Sequence, residues 1–157
     1  MSGSESGFAV SSLEDMYRRL TLADVACTEF SARRQDQEEE GDDTVSLSGR
    51  SERIDEGDVF VVTMSVMAEG FGAEYKVTIR ATYDVAPSTT WTHEYETEFV
   101  RKSSFVTIAP YLREALNALG ARIQKPSPWL PLQGPHAPET LEVDVLMEDD
   151  DLVQLDS

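Results

Sequence analysis

The sequence predicts an α+β fold, an antiparallel sheet with one polar face and an amphipathic helix available to cover the other. Two observations carry this. In Val59 to Ala68, Phe60, Val62, Met64 and Val66 fall on one face. In Glu74 to Asp84, Tyr75, Val77, Ile79, Ala81 and Tyr83 alternate with Glu74, Lys76, Thr78, Arg80, Thr82 and Asp84. A period of two with one wet face means antiparallel sheet. Downstream, Ile108, Leu112, Leu116, Leu119 and Ile123 recur at helical spacing, one face of a helix of about four turns. Each such element must bury its apolar side against another.

Taken in order, residues 1–10 are mostly small and polar and are expected to be loose. Ser11-Ser12-Leu13-Glu14 reads as a capping box, Ser11 at the cap and Glu14 three residues on. Leu13, Met16, Tyr17 and Leu20 then follow helical spacing. Leu22 to Ala32 is β-like, and Gln35 to Asp43 is an acid-rich run without a base, which reads as a loop. A strand over Val45 to Arg53 precedes the hairpin, although its alternation is poor. Gly70-Phe71-Gly72 joins the two hairpin strands with residues that tolerate positive φ. Pro87-Ser88-Thr89-Thr90 ends the sheet. Thr92 to Lys102 reads as a short helix or irregular chain. Pro110 is expected to open the long helix, where its missing N–H costs nothing. Lys125-Pro126-Ser127-Pro128 stops that helix, and Trp129-Leu130-Pro131-Leu132 is an apolar, stiff segment that must lie on something.

After Gly134 the chain carries eight acids and no Lys or Arg. Residues 134–157 therefore read as a disordered acidic tail. Two short apolar patches interrupt it, Leu141-Glu142-Val143-Asp144-Val145-Leu146 and Leu152-Val153-Gln154-Leu155. The organisation expected is an N-terminal segment with a short helix (1–21), a folded domain (22–133) and the tail (134–157).

The charge balance restricts the partners. Thirty Asp and Glu oppose 13 Lys and Arg, for a net charge of −17. Nucleic acid and anionic membranes select basic faces, so neither is expected. The single cysteine, Cys27, excludes an intramolecular disulfide and a thiolate zinc cluster. The first ten residues lack a basic and then apolar leader, and no stretch is long enough to cross a bilayer, so a cytoplasmic setting is expected.

No chemistry emerges from the residue pattern. His93 and His136 lack ligand-like partners at helical or hairpin spacing. The two glycines of the hairpin turn lack the third glycine and the helix of a dinucleotide site. Carboxylates are plentiful, but nothing sets the acidity of one against another, as acid–base catalysis needs. Cys27 lies in a strand beside apolar neighbours and reads as a buried, inert thiol. The chain is expected not to be an enzyme and to need no cofactor or metal.

One region carries a resemblance. Ser104 to Leu116 (SFVTIAPYLREAL), then Ala121-Arg122, Pro126 and Leu130-Pro131-Leu132, resembles the signature of SecB-type chaperones. That family shows a Pro-Tyr/Phe-x-Arg-Glu motif at a helix start, an arginine at the helix end, and then a proline-containing segment rich in Leu. The hairpin from Asp58 to Tyr83 and the strand from Asp24 to Ala32 resemble strands of the same family. The likeness spans roughly residues 20–133, leaving the N-terminal helix and the tail outside.

The resemblance implies a four-stranded antiparallel sheet with helices on one face, assembled as a dimer of dimers. It also implies ATP-independent holding of non-native polypeptides, either preproteins for export or a dedicated client such as the antitoxin of a toxin–antitoxin pair. Client contacts are expected at Met67, Phe71, Trp129, Leu130 and Leu132. Subunit packing is expected at Tyr111, Leu112, Arg113, Glu114, Ala115, Leu116 and Leu119. In the best-known members an acidic patch on the sheet docks the export motor SecA. Here Glu29 keeps one acid, but Arg33 and Lys76 stand where others would be, which opposes that docking. Two other classes compete with this reading. One is a small α+β ligand-binding or enzyme scaffold, which would show one deep closed pocket. The other is an adaptor or inhibitor acting through the acidic tail.

Overall fold

The computed structural model describes residues 7–35, 44–54, 58–69, 72–125, 128 and 142–145. Four long strands, β2 (Leu20–Arg34), β3 (Thr44–Ile54), β4 (Val59–Glu69) and β5 (Ala73–Val85), form an antiparallel sheet in the order β2-β5-β4-β3. A short strand β7 (Glu142–Val145) adds in parallel to the outer side of β3. Before the sheet come β1 (Phe8–Ala9) and helix α1 (Leu13–Arg19). After it, β6 (Thr89–Thr90) pairs with β1, tying the N-terminal segment to the end of the hairpin. Helix α2 (His93–Phe99) runs through a π turn (Val100–Ser104) into α3 (Phe105–Ile123).

The hairpin forms as its alternation requires. Phe60, Val62, Met64 and Val66 of β4 and Tyr75, Val77, Ile79, Ala81 and Tyr83 of β5 are all buried. The register sets Phe60 opposite Tyr83, Val62 opposite Ala81 and Met64 opposite Ile79, so one continuous apolar face results. Each large aliphatic or aromatic side chain fully buried there is worth roughly 1.5–3 kcal/mol against exposure. Ile108, Leu112, Leu116 and Leu119 of α3 cover that face, and all four are buried. The opposite face is polar, with Ser65 and Thr78 hydroxyls 2.8 Å apart.

At the other end of the sheet an aromatic cluster seats α2. Phe60 lies 5.4 Å from Trp91 edge-on, and Tyr83 lies 5.3 Å from Phe99. The Glu96 carboxylate, buried beneath α2, accepts from the Ser51 hydroxyl and the Trp91 indole N–H, each at 2.7 Å. This joins α2 to β3 without leaving a buried charge unsatisfied. The Tyr83 hydroxyl meets the Ser104 hydroxyl at 3.0 Å inside the core. Burial pushes the Tyr83 phenol above its ordinary pKa, against the opposing pull of that hydrogen bond.

Several expectations shift in detail. The first helix is capped by Ser12, not Ser11: the Ser12 hydroxyl accepts from the Asp15 N–H, and Asp15 accepts in return from the Ser11 N–H and hydroxyl. Those bonds from Ser11 hold the Asp15 carboxyl below the usual carboxylate range. Pro110 does not open the long helix but lies inside it. The helical run begins at His93 behind the Thr92 cap, and Pro110 and Val106, whose carbonyl loses its donor, are both exposed. Cys27 is exposed rather than buried, because β2 is an edge strand that α3 only partly covers. Among the described residues no helix is long and apolar enough to cross a membrane. Phe71, Trp129, Leu130, Leu132, His136 and most of the acidic loop and tail lie outside the described residues.

An apolar groove beside an open strand edge

β2 is the longest strand, and its outer edge has no partner strand among the described residues. Its register on β5 is interrupted between Leu22 and Asp24 and between Cys27 and Glu29. Such bulges bend a strand and change which side chains it turns toward a neighbour. The outcome is a strand with apolar residues in the open: Leu22 and Phe30 are 45% and 37% exposed. At the second bulge the Cys27 thiol donates to the Glu29 carbonyl at 3.4 Å.

Helix α3 crosses the sheet beside this edge. Its buried stripe faces β5 and β4, and the next stripe round faces the gap over β2. That gap is a groove of about 460 Å³ lined by Val25, Cys27, Phe30, Ile79, Tyr111, Glu114, Ala115 and Ala118. Small residues at 115 and 118 keep it open, and Tyr111, 47% exposed, forms one wall. At one end the Arg122 guanidinium sits 5.3 Å from the centre of the Phe30 ring. Apart from the Glu114 carboxylate, the Tyr111 hydroxyl and the Cys27 thiol, the side chains of the lining offer carbon surface. Such a groove accepts apolar side chains without choosing among them, and the adjacent edge offers backbone hydrogen bonds to an added strand.

The polar face of the sheet behaves differently. Arg33 lies opposite Glu74, at 3.5 Å between charged atoms, and Lys76 reaches the same carboxylate at 3.9 Å. Glu29 receives the Thr78 hydroxyl at 3.5 Å. Both bases expected to oppose an acidic docking patch therefore converge on one internal acid.

The structure divides the expected subunit-packing residues. Leu112, Leu116 and Leu119 pack within the chain's own core, because the helix turns them onto the sheet. Tyr111, Glu114 and Ala115 line the groove, and Arg113 is exposed. Of the expected client contacts, Met67 is 45% exposed on the polar face of β4, and the other four lie outside the described residues. Sequence reasoning missed Val25, Cys27, Phe30, Ile79 and Ala118 as groove residues. Alternation across Cys27-Thr28-Glu29 is broken by the bulge, so period-two counting loses the strand's inward face there. His93 is exposed at the start of α2, and among the described residues no three His, Cys, Asp or Glu side chains gather as metal ligands.

No family model and no curated protein matches this sequence. A solved structure does match. The Mycobacterium tuberculosis Rv1957 SecB-like chaperone, in complex with a ChAD peptide from the Rv1956 HigA1 antitoxin, aligns with a TM-score of 0.63. The alignment covers 77% of this chain and 92% of that one, at 16% sequence identity. At that identity the likeness is one of architecture: the chain has a SecB-like α+β fold, an antiparallel sheet with helices on one face.

Proposed function

We propose that this protein is a molecular chaperone that holds non-native polypeptides without ATP, working as a homo-oligomer. One observation carries the reading: a SecB-like fold that leaves an apolar groove open beside a strand edge with no partner strand among the described residues. A catalytic or small-ligand site concentrates a few convergent polar groups in a closed pocket. This groove is open and mostly apolar, which suits a surface that packs against another polypeptide, here a second copy of the chain, rather than a defined small molecule.

In this reading the two halves of the surface divide the work. The β2 edge with Phe30, Tyr111, Glu114 and Ala115 joins copies of the chain, building the dimer of dimers that the resemblance implies. The client lies along the segment after α3, at Trp129, Leu130 and Leu132, with Met67 and Phe71 flanking it. Support for a polypeptide client comes from the antitoxin peptide bound by the Mycobacterium tuberculosis chaperone of the same fold. Preproteins fit the same chemistry, and neither class demands docking to SecA. A cytoplasmic location follows from this role.

Native mass measured with and without a reduced, unfolded client tests the reading. An oligomer that gains the mass of a client, unaffected by ATP, supports it. A monomer at micromolar concentration that ignores unfolded chains ends it. Trp129→Ala is expected to weaken client capture while leaving the melting temperature within a few degrees of the wild type. A loss of about 3–5 kcal/mol in stability would instead make Trp129 a core residue.

A further inference from the structure

The two edges of the sheet are treated differently. Among the described residues β2 has no outer partner, whereas β3 carries β7 from the chain's own acidic end. β7 covers only part of what it sits on: Ser48, Gly49, Arg50 and Ser51 are paired, within a strand that runs from Thr44 to Ile54. On that side, Thr44 to Leu47 and Glu52 to Ile54 have no partner strand among the described residues. Four residues in a parallel ladder make a weak attachment, since parallel pairing is less stable per residue than antiparallel and short strands hold poorly alone. The register is nonetheless selective. Val143 and Val145 pair with Gly49 and Ser51, the two buried positions of β3, and Glu142 and Asp144 pair with the exposed Ser48 and Arg50. An acid of the tail thus falls at the register of a base.

We propose that the β3 edge is a second polypeptide-binding site, held in reserve by residues 142–145, and that an extended segment alternating apolar and acidic residues adds there in their place. The inference rests on the polypeptide-holding reading. Its ground is the juxtaposition of a long edge, a cover shorter than that edge, and a covering sequence that alternates like a strand. A tethered strand competes at an effective concentration on the order of millimolar, so a weak ladder suffices to exclude weak ligands. A longer client strand gains hydrogen bonds beyond both ends of β7 and displaces it. The tail sets a threshold for client length and pattern.

The test uses the full chain and a fluorescent peptide with the sequence of residues 140–147. Successive amides of a strand point to opposite edges. Of Val143→Pro and Asp144→Pro, one therefore removes a ladder donor from β7 and the other serves as its control. The expected result is peptide affinity at least tenfold tighter for one of the two variants than for the wild type. Hydrogen exchange should show the alternate amides of residues 48–51 that face β7 losing protection in that variant and regaining it with peptide, while those facing β4 stay protected. In the unmodified chain, saturating unfolded client should expose the amides of 142–145 that face β3 while the amides of 48–51 stay protected. Equal peptide affinity for the wild type and both variants overturns the proposal. So does unchanged protection of 142–145 when client is bound. If the peptide binds the opened variant but no unfolded client binds any form, the edge site stands and the holding reading fails.

Discussion

The Arg122 guanidinium lies 5.3 Å from the centre of the Phe30 ring, joining the last turn of α3 to the C-terminal part of β2 at one end of the groove. Phe30 and Tyr111 are both substantially exposed in the single chain, so truncating them removes little internal packing. Phe30→Ser and Tyr111→Ser are each expected to cost less than about 1 kcal/mol of unfolding free energy, in keeping with exposed sites. Central aromatic residues of interfaces commonly carry about 2 kcal/mol or more of association energy. Sedimentation of the double variant should show dissociation at a protein concentration at least tenfold above that of the wild type.

The neighbouring position behaves in the opposite way. Leu112 is fully buried against the sheet, one step round the helix from Tyr111. Leu112→Ala is expected to cost about 2–5 kcal/mol, from lost transfer energy and a cavity. Urea unfolding of the two single variants, side by side, shows whether α3 has the two faces described.

Glu96 supplies another test. Its carboxylate accepts from Ser51 and Trp91 at 2.7 Å each. Glu96→Ala leaves the buried Ser51 hydroxyl and the half-buried Trp91 N–H without their acceptor, at a cost of roughly 2–4 kcal/mol. Glu96→Gln retains an acceptor for one of them and should lose less. Trp91 fluorescence, read along the denaturation curve, reports the loosening of α2 from β3.

Alkaline pH acts through Tyr83. Its phenol ionises above the ordinary tyrosine value because burial disfavours the charged form. Above about pH 10 the unfolded chain releases this proton while the folded chain keeps it. The folded state then binds more protons than the unfolded one, so stability falls as pH rises. Tyr83→Phe should remove this component of the alkaline slope. At neutral pH it should cost about 1–3 kcal/mol, because Ser104 loses its buried partner. Thermal melts of the two proteins between pH 8 and 11 give both quantities.

Much of this fold was legible. Phe60 to Val66 and Tyr75 to Tyr83 alternate because each strand has one wet face and one covered face, and period two reports that directly. The α3 stripe was equally plain, since Ile108, Leu112, Leu116 and Leu119 all meet the same sheet. The helix start was misplaced because Pro110 is a good first-turn residue in general, while its exposed position here lets an interior site tolerate it. The groove was only half visible. Tyr111, Glu114 and Ala115 stood out on the helix, but their partners on β2 lie on a strand with two register shifts, where alternation fails. The pairing of residues 142–145 with β3 left no mark beyond a short alternation among acids. Composition alone reads such a segment as unstructured, because a ladder between Ser48 and Glu142, far apart in the chain, has no local signature.

The most direct test is suppression of aggregation. A reduced, unfolded client is diluted from denaturant into buffer, with and without this protein and with and without ATP, and light scattering is followed. Scattering is expected to be suppressed at a near-stoichiometric ratio of oligomer to client, equally with and without ATP, with the client eluting with the oligomer. Scattering identical to that of the client alone, at a several-fold excess of properly folded oligomer, would contradict it.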